Sequence, residues 1–412
     1  MSNTNLETTV TTPASPKSIM PRISVRALWK VFGKNPRRAL AQQNSFKSRD
    51  QIQQELGLVA ALRDVSFDVF PGETFVVMGL SGSGKSTLVR CLIHLIEATS
   101  GEIIVDGADV TKFNNTELLQ FRRSNIAMVF QNFGLLPHKN VLDNASYGLE
   151  VKGVSKQERY SIAMEILEKV GLVGWEHASP SELSGGMQQR VGLARALAVD
   201  PSIMLMDEPF SGLDPLIRRQ MRDELAALQA EIQKTLVFIT HDLDEAITVG
   251  DRIAIMRDGE IVQLGTPKEI ITNPIDDFVR EFTKGIPKAK VVDVAHILSG
   301  PKAVYSKSDS VDVVRRRMDH AQSDYAIGLG DEGQYLGIIG RAQLDIPSSN
   351  TPAELLDNTG RAIIPVGSST TLQEALHLLS DNDLPLPVVD ESNAFIGVVT
   401  QRDLLKMLAS DI

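Results

Sequence analysis

Four short apolar runs, each closed by a residue with chemistry, mark out the first two thirds of the chain. They are Phe75–Met78 before Gly79, Ile126–Phe130 before Gln131, Ile203–Met206 before Asp207, and Thr235–Thr240 before His241. Runs this short with no polar alternation predict strands buried on both faces, as in an α/β sheet whose functional residues collect at the carboxyl ends. Two other stretches do alternate: Ile23–Phe32, which reads as an edge strand, and Asp64–Val69. Gly101–Gly107 reads as a strand and turn. Helical spacing follows at Thr87–Leu92 and Val191–Leu197. Beyond Pro287 the pattern changes to an internal repeat. Tyr335-Leu336-Gly337-Ile338-Ile339-Gly340 returns as Phe395-Ile396-Gly397-Val398-Val399-Thr400, and Val311, Val314 and Met318 return as Leu372, Ala375, Leu376 and Leu379. Each copy predicts helix, strand, strand, helix.

Composition narrows this picture. The 412 residues allow two or three domains. The net charge of −10 argues against nucleic acid as a partner. That charge is unevenly spread: residues 1–60 hold nine Lys/Arg against Glu7, Asp50 and Glu55. One cysteine, Cys91, excludes an internal disulfide and fits a reducing compartment. No apolar run of 18 residues is present to span a membrane. Residues 1–21, rich in Ser, Thr and Pro, read as a disordered extension without the apolar core of a secretory signal. Residues 34–60, polar and basic with a helical piece at Gln51–Leu56, read as a surface insertion between the two alternating strands; an anionic-lipid or nucleic-acid patch is the alternative.

The chemistry begins at Gly79-Leu80-Ser81-Gly82-Ser83-Gly84-Lys85-Ser86, which fits G-x-x-x-x-G-K-[ST] between a strand and a helix. The glycines let backbone N–H groups wrap phosphate oxygens at a helix N-terminus. Lys85 would reach the β- and γ-phosphates, and Ser86 would ligate Mg²⁺. Leu183-Ser184-Gly185-Gly186-Met187-Gln188 opens a second anion-accepting helix start. One chain has no second nucleotide to offer it, so a partner subunit would bring one. Asp207 would hold Mg²⁺, and Glu208 would polarise the attacking water. Gln131 would reach metal and water, and His241 the γ-phosphate. Phe32 either stacks on adenine or closes the edge of a core.

Taken together, Gly79–Ser86, Gln131, Leu183–Arg190, Asp207-Glu208, Ser211–Asp214 and His241 resemble an ATP-binding-cassette ATPase over about residues 22–285. The resemblance implies a P-loop NTPase fold with a mixed-sheet core, a helical subdomain and an antiparallel β subdomain. It also implies ATP and Mg²⁺ as cofactors and a pair of cassettes, a homodimer being expected. Ser184, Gly185 and Gly186 would meet the nucleotide held by the partner's loop, and Gln188 and Asp214 are expected among the nucleotide-binding residues. Phe32, Gly79, Ser81–Ser86 and Thr87 would bind the chain's own nucleotide; Ser86, Gln131 and Asp207 would hold its metal; and Glu208, His241 and Gln131 would act in hydrolysis. The insertion and Met128–Leu135 are similar to the glycine betaine/proline betaine importer type, although Pro209 and Gly212 stand where those importers more often carry Ala. That type implies a peripheral subunit at the cytoplasmic face of the membrane. A permease would be contacted near Phe133–His138, with a substrate-binding protein involved indirectly. The alternatives are an importer of choline, carnitine or an amino acid, and a soluble non-transport cassette protein.

The repeats at about 291–346 and 352–412 resemble a tandem pair of cystathionine-β-synthase-type (CBS) domains. Such pairs often bind adenine nucleotides through a Thr/Ser and an Asp three residues later, and an adenine or cyclic dinucleotide is the ligand the resemblance suggests. Thr400 and Asp403 keep that pair, whereas Gly340–Gln343 lacks it. A ligand-free dimerisation module and an ionic-strength sensor remain open. With nine Lys/Arg against 17 Asp/Glu over residues 291–412, only Arg315-Arg316-Arg317 is locally basic.

Overall fold

The computed structural model describes residues 20–41, 47–131, 133–345, 351–352, 364–380 and 382–409. The N-terminal extension before Met20, part of the insertion and Asn132 lie outside these, as do residues 353–363. Two compact units meet at Pro267/Lys268, so residues 268–285 of the cassette reading fall with the second unit.

Unit 1 holds two sheets. The first runs in the order β2-β1-β4-β5, from β1 (Ile23–Phe32), β2 (Val59–Val69), β4 (Ser100–Val105) and β5 (Ala108–Asp109), with antiparallel pairing throughout. The alternation in β1 predicts an edge strand, but β1 pairs on both sides. Its inward residues Ile23, Val25 and Leu28 are fully buried. Alternation reports which face is buried and says nothing of which neighbours the backbone finds. β2 also begins five residues before the alternating stretch, at Val59, and so shortens the insertion. Within the insertion, the helix Arg49–Leu56 carries a Ser48/Gln51 capping box. It buries Ile52 in a cluster with Trp29, Val31, Ala39, Leu58 and Ala60.

The second sheet has the order β10-β9-β3-β8-β7-β6. Its strands are β3 (Thr74–Met78), β6 (Ile126–Val129), β7 (Ile203–Asp207), β8 (Thr235–Thr240), β9 (Arg252–Arg257) and β10 (Glu260–Gly265). All pairings but β9–β10 are parallel. The apolar runs are where they were expected, with β3, β7 and β8 buried at every residue. β6 stops at Val129, leaving Phe130 outside the strand and 43% exposed. The helices Val141–Val151, Lys156–Lys169 and Gly185–Ala198 pack on one another as a separate helical layer.

Unit 2 repeats one motif. β11 (Val304–Tyr305), β12 (Tyr325–Leu329) and β13 (Tyr335–Gly340) form one three-stranded sheet; β14 (Val366–Gly367), β15 (Leu386–Val389) and β16 (Phe395–Val399) form the other. In each sheet a parallel pair is followed by an antiparallel one. Tyr325, Ile327, Ile338 and Val398 share one buried cluster, which joins the two copies. Arg315 Nη2 donates to the Leu344 carbonyl at 2.6 Å, and Arg317 pairs with Asp309 at 2.7 Å.

Candidate functional site

Strand order explains why residues far apart in sequence meet. Moving from β3 across β8 and β7 to β6, the carboxyl ends deliver Gly79–Ser86, then His241, then Asp207-Glu208, then Gln131. Parallel strands with buried faces must expose their ends on the same side, the usual place for ligands in such sheets.

The phosphate loop is closed by close backbone approach. A Cβ on Gly79 (φ +151°) would sit 2.2 Å from the Met256 carbonyl oxygen, and one on Gly84 (φ +108°) would sit 2.4 Å from that of Ala61. Only glycine fits either place. Lys85 is buried, and its Nζ donates to the carbonyls of Gly79 at 2.8 Å and Leu80 at 3.1 Å. Burial pushes its pKa below the usual lysine value, while Glu208 and Asp207 oppose the shift. The hydroxyl of Ser83 is buried in the loop with no hydrogen-bond partner, a donor the fold leaves free for an acceptor oxygen of a ligand.

Ser86 Oγ donates to Asp207 Oδ1 at 3.1 Å. This hydroxyl–carboxylate pair is the oxygen donor set a small divalent cation takes beside phosphates, so Mg²⁺ fits the residues present. Burial holds the Asp207 carboxyl above the usual range, offset in part by the Ser86 hydroxyl. The folded protein therefore keeps this proton at pH values where the unfolded chain has lost it. Stability falls as pH rises through that interval and stays lower above it. Asp207→Asn keeps an oxygen for Ser86 and removes the buried charge. It is expected to raise stability at pH 7 by about 0.5–2 kcal/mol while destroying turnover, read as Tm and ATPase rate on one preparation.

Glu208 is the hub. Its Oε1 lies 4.0 Å from Lys85 Nζ, and its Oε2 lies 3.2 Å from His241 Nδ1. Gln131 Nε2 reaches the same Oε2 at 3.5 Å, a long contact. The Glu208 backbone is left-handed, with φ +46°. It is held there by its N–H on the Ile239 carbonyl at 3.0 Å and by the Ser211 hydroxyl on its own carbonyl at 3.1 Å. A non-glycine residue forced into this region beside a carboxylate cluster is strain maintained by its surroundings, and such strain gathers at functional sites.

Ser184–Gln188 form a separate group. Ser184 caps the helix Gly185–Ala198, and Gln188 Nε2 donates to the carbonyls of Pro180 and Leu183 at 3.0 and 3.2 Å. The Cβ positions of Gly185 and Gly186 face Leu213 and Ile217, and Asp214 caps the helix Pro215–Ile232. Among the described residues, no hydrogen bond or ion pair joins Ser184–Gln188 to the phosphate loop. Phe32 closes β1 at 41% exposure, with Lys30 Nζ 4.8 Å from its ring centroid. Thr87 lies in the first turn of the helix Lys85–Leu92, beside the loop. In unit 2, Asp403 Oδ2 accepts from the Thr400 hydroxyl at 2.6 Å, the Thr400 amide at 3.1 Å and Ser299 Oγ at 3.1 Å.

Sequence reasoning missed two supports. Thr240 Oγ1 donates to buried Glu245 at 2.5 Å and accepts from the Asp242 amide, which fixes the turn bearing His241. Arg195 donates to the carbonyls of Phe133 and Gly134 at 3.0 and 2.6 Å and so pins the loop that follows Gln131. The Arg195 contact was not visible in the sequence because it joins segments about sixty residues apart with no shared pattern, whereas the Thr240 contacts are local, two and five residues along the chain.

Family models match at residues 62–211, described as ABC transporter, and at residues 359–410, described as CBS domain. The chain is 43% identical over 393 residues to the glycine betaine/proline betaine transport system ATP-binding protein ProV of Salmonella typhimurium, covering 94% of this chain and 97% of that one. It is 43% identical to the glycine betaine transport ATP-binding protein OpuAA of Bacillus subtilis, over 95% of this chain and 93% of that one. With a trimethylamine N-oxide transport ATP-binding protein of Pelagibacter ubique it shares 49% identity over 68% of this chain and 82% of that one. A solved dimeric ATP-binding cassette, in a post-hydrolysis state with ADP and Pi, superposes with TM-score 0.50 at 32% identity, covering 60% of this chain and 98% of that one.

Proposed function

The chain belongs to the ATP-binding-cassette transporter ATPases, and from that premise we propose that it powers a membrane importer of compatible solutes, glycine betaine, proline betaine or a related quaternary amine. The observation that supports the motor reading is the convergence of Lys85, His241 and Gln131 on Glu208 beside the Ser86–Asp207 pair, and the solute reading is supported by the similarity to glycine betaine transport ATP-binding proteins over 94% of the chain.

The amides and Lys85 of the phosphate loop bind and orient the triphosphate. Ser86, Asp207 and Gln131 would hold Mg²⁺, which when bound would neutralise charge on the phosphates. Glu208 Oε2 takes a proton from the attacking water, and His241 and Gln131 fix the direction of that carboxylate. Little covalent chemistry is asked of the protein; positioning and charge carry the rate. The Ser184–Gln188 segment, with Asp214, completes the site on a second copy of the chain, so ATP closes two cassettes and hydrolysis reopens them. The loop held by Arg195 contacts a permease and transmits the motion, which places the chain at the cytoplasmic face. Reconstitution of the chain with its permease and binding protein in vesicles is expected to give ATP-dependent uptake of radiolabelled glycine betaine. ATP-driven uptake of a different solute alone would remove the betaine reading and leave the motor.

The CBS pair is the regulatory module in this reading, with Thr400 and Asp403 offered to an adenine or cyclic dinucleotide. Calorimetric titration of wild type against Asp403→Ala is the test, and absence of heat with every nucleotide in wild type removes the ligand role.

A further inference from the structure

The inserted helix reaches the phosphate loop. Arg49 Nη1, from its first turn, donates to the Gly82 carbonyl at 2.6 Å. Other carbonyls of the loop are also engaged. Lys85 Nζ takes those of Gly79 and Leu80, and the Gly259 amide takes that of Ser83 at 3.0 Å. A loop that binds anions through its amides must turn its carbonyls away, each toward a donor. At Gly82 that donor comes from the insertion. Gly82 has φ +80° and nothing within 4 Å of its Cβ position, so packing does not hold its peptide plane.

Arg49 itself is preorganised. The Ser48/Gln51 capping box fixes the start of its helix, and Ile52 anchors that helix on β1 and β2. Arg63, buried and paired with Glu260 at 3.1 Å, donates to the Lys47 carbonyl at 2.6 Å two residues before Arg49. Lys47 is in turn paired with Glu55.

We propose that Arg49 is a positioning residue of the nucleotide site: from the insertion it holds the Gly82 carbonyl turned outward, keeping the loop amides presented to the polyphosphate and tuning affinity for the nucleotide. This rests on the reading of Gly79–Ser86 as the ATP-binding loop. The guanidinium also adds positive charge beside the phosphates without touching the reacting atoms.

The test uses the full-length chain. In Arg49→Ala the KM for ATP is expected to rise about five- to tenfold, with kcat within about twofold of wild type, since removing an interaction made equally in ground and transition states shows in KM. Arg49→Lys, which retains a donor and the charge, should recover most of the affinity. Calorimetry of MgATP binding on a Glu208→Gln background should give the same ratio as the KM values. Two results overturn the inference: an Arg49→Ala KM within about twofold of wild type, or KM, kcat and Tm worsening together without rescue by lysine. Lys85→Ala tests the underlying reading independently. If it binds MgATP as wild type does, the loop is not the nucleotide site, whatever Arg49 does.

Discussion

Glu208→Gln is expected to leave MgATP binding within a few-fold of wild type and to lower the ATPase rate by about 10²–10⁴, the usual contribution of a positioned general base. The amide keeps the volume and one oxygen, so the left-handed turn at φ +46° and its bonds to Ile239 and Ser211 persist. What is removed is the charge that His241, at 3.2 Å, and Lys85, at 4.0 Å, are arranged around. The measurement is single-turnover hydrolysis beside equilibrium nucleotide binding. A rate near wild type would sink the assignment of Glu208 as base. Weakened binding with the rate of bound ATP preserved would recast the residue as part of the binding site.

Gly79→Ala is the second large effect, and it acts through the backbone. The added methyl would meet the Met256 carbonyl oxygen at 2.2 Å and the Ser83 hydroxyl at 2.8 Å. The hydroxyl can rotate, but the carbonyl belongs to β9, which is paired to β3 over four registered positions. The φ of +151° adds strain for any residue with a Cβ. Relief requires the loop to lift from the sheet, with a stability loss of about 2–4 kcal/mol and nucleotide binding reduced beyond easy detection. Thermal unfolding and calorimetry would report both. Gly82→Ala is the internal control: space is open at its Cβ position, so its cost is limited to the φ of +80°. Equal damage from the two substitutions would refute the steric argument.

Much of the cassette was legible because buried parallel strands leave a coarse signature. β3, β7 and β8 are apolar at nearly every residue, and each run ends at a candidate site residue. Helix starts were equally local, since Ser184 and Asp214 cap within three residues of themselves. Contacts made across elements were not legible. The Arg195 grip on Phe133 and Gly134 spans about sixty residues of sequence, and the Arg49–Gly82 bond spans 33. The pattern of β1 points to an edge although the strand is paired on both sides, because alternation encodes one buried face and carries no count of paired neighbours.

From the sequence alone came the motif of the candidate phosphate loop, the order of the candidate site residues, the repeat in the C-terminal unit and the expectation of a second cassette. All of these depend on local spacing or on chemistry written into residue types. Tertiary structure alone decided that Glu208 is the point where Lys85, His241 and Gln131 meet, that its backbone is strained, and that the insertion touches the site. Those facts depend on strand order and on backbone approach between distant segments, which no periodicity along the chain records.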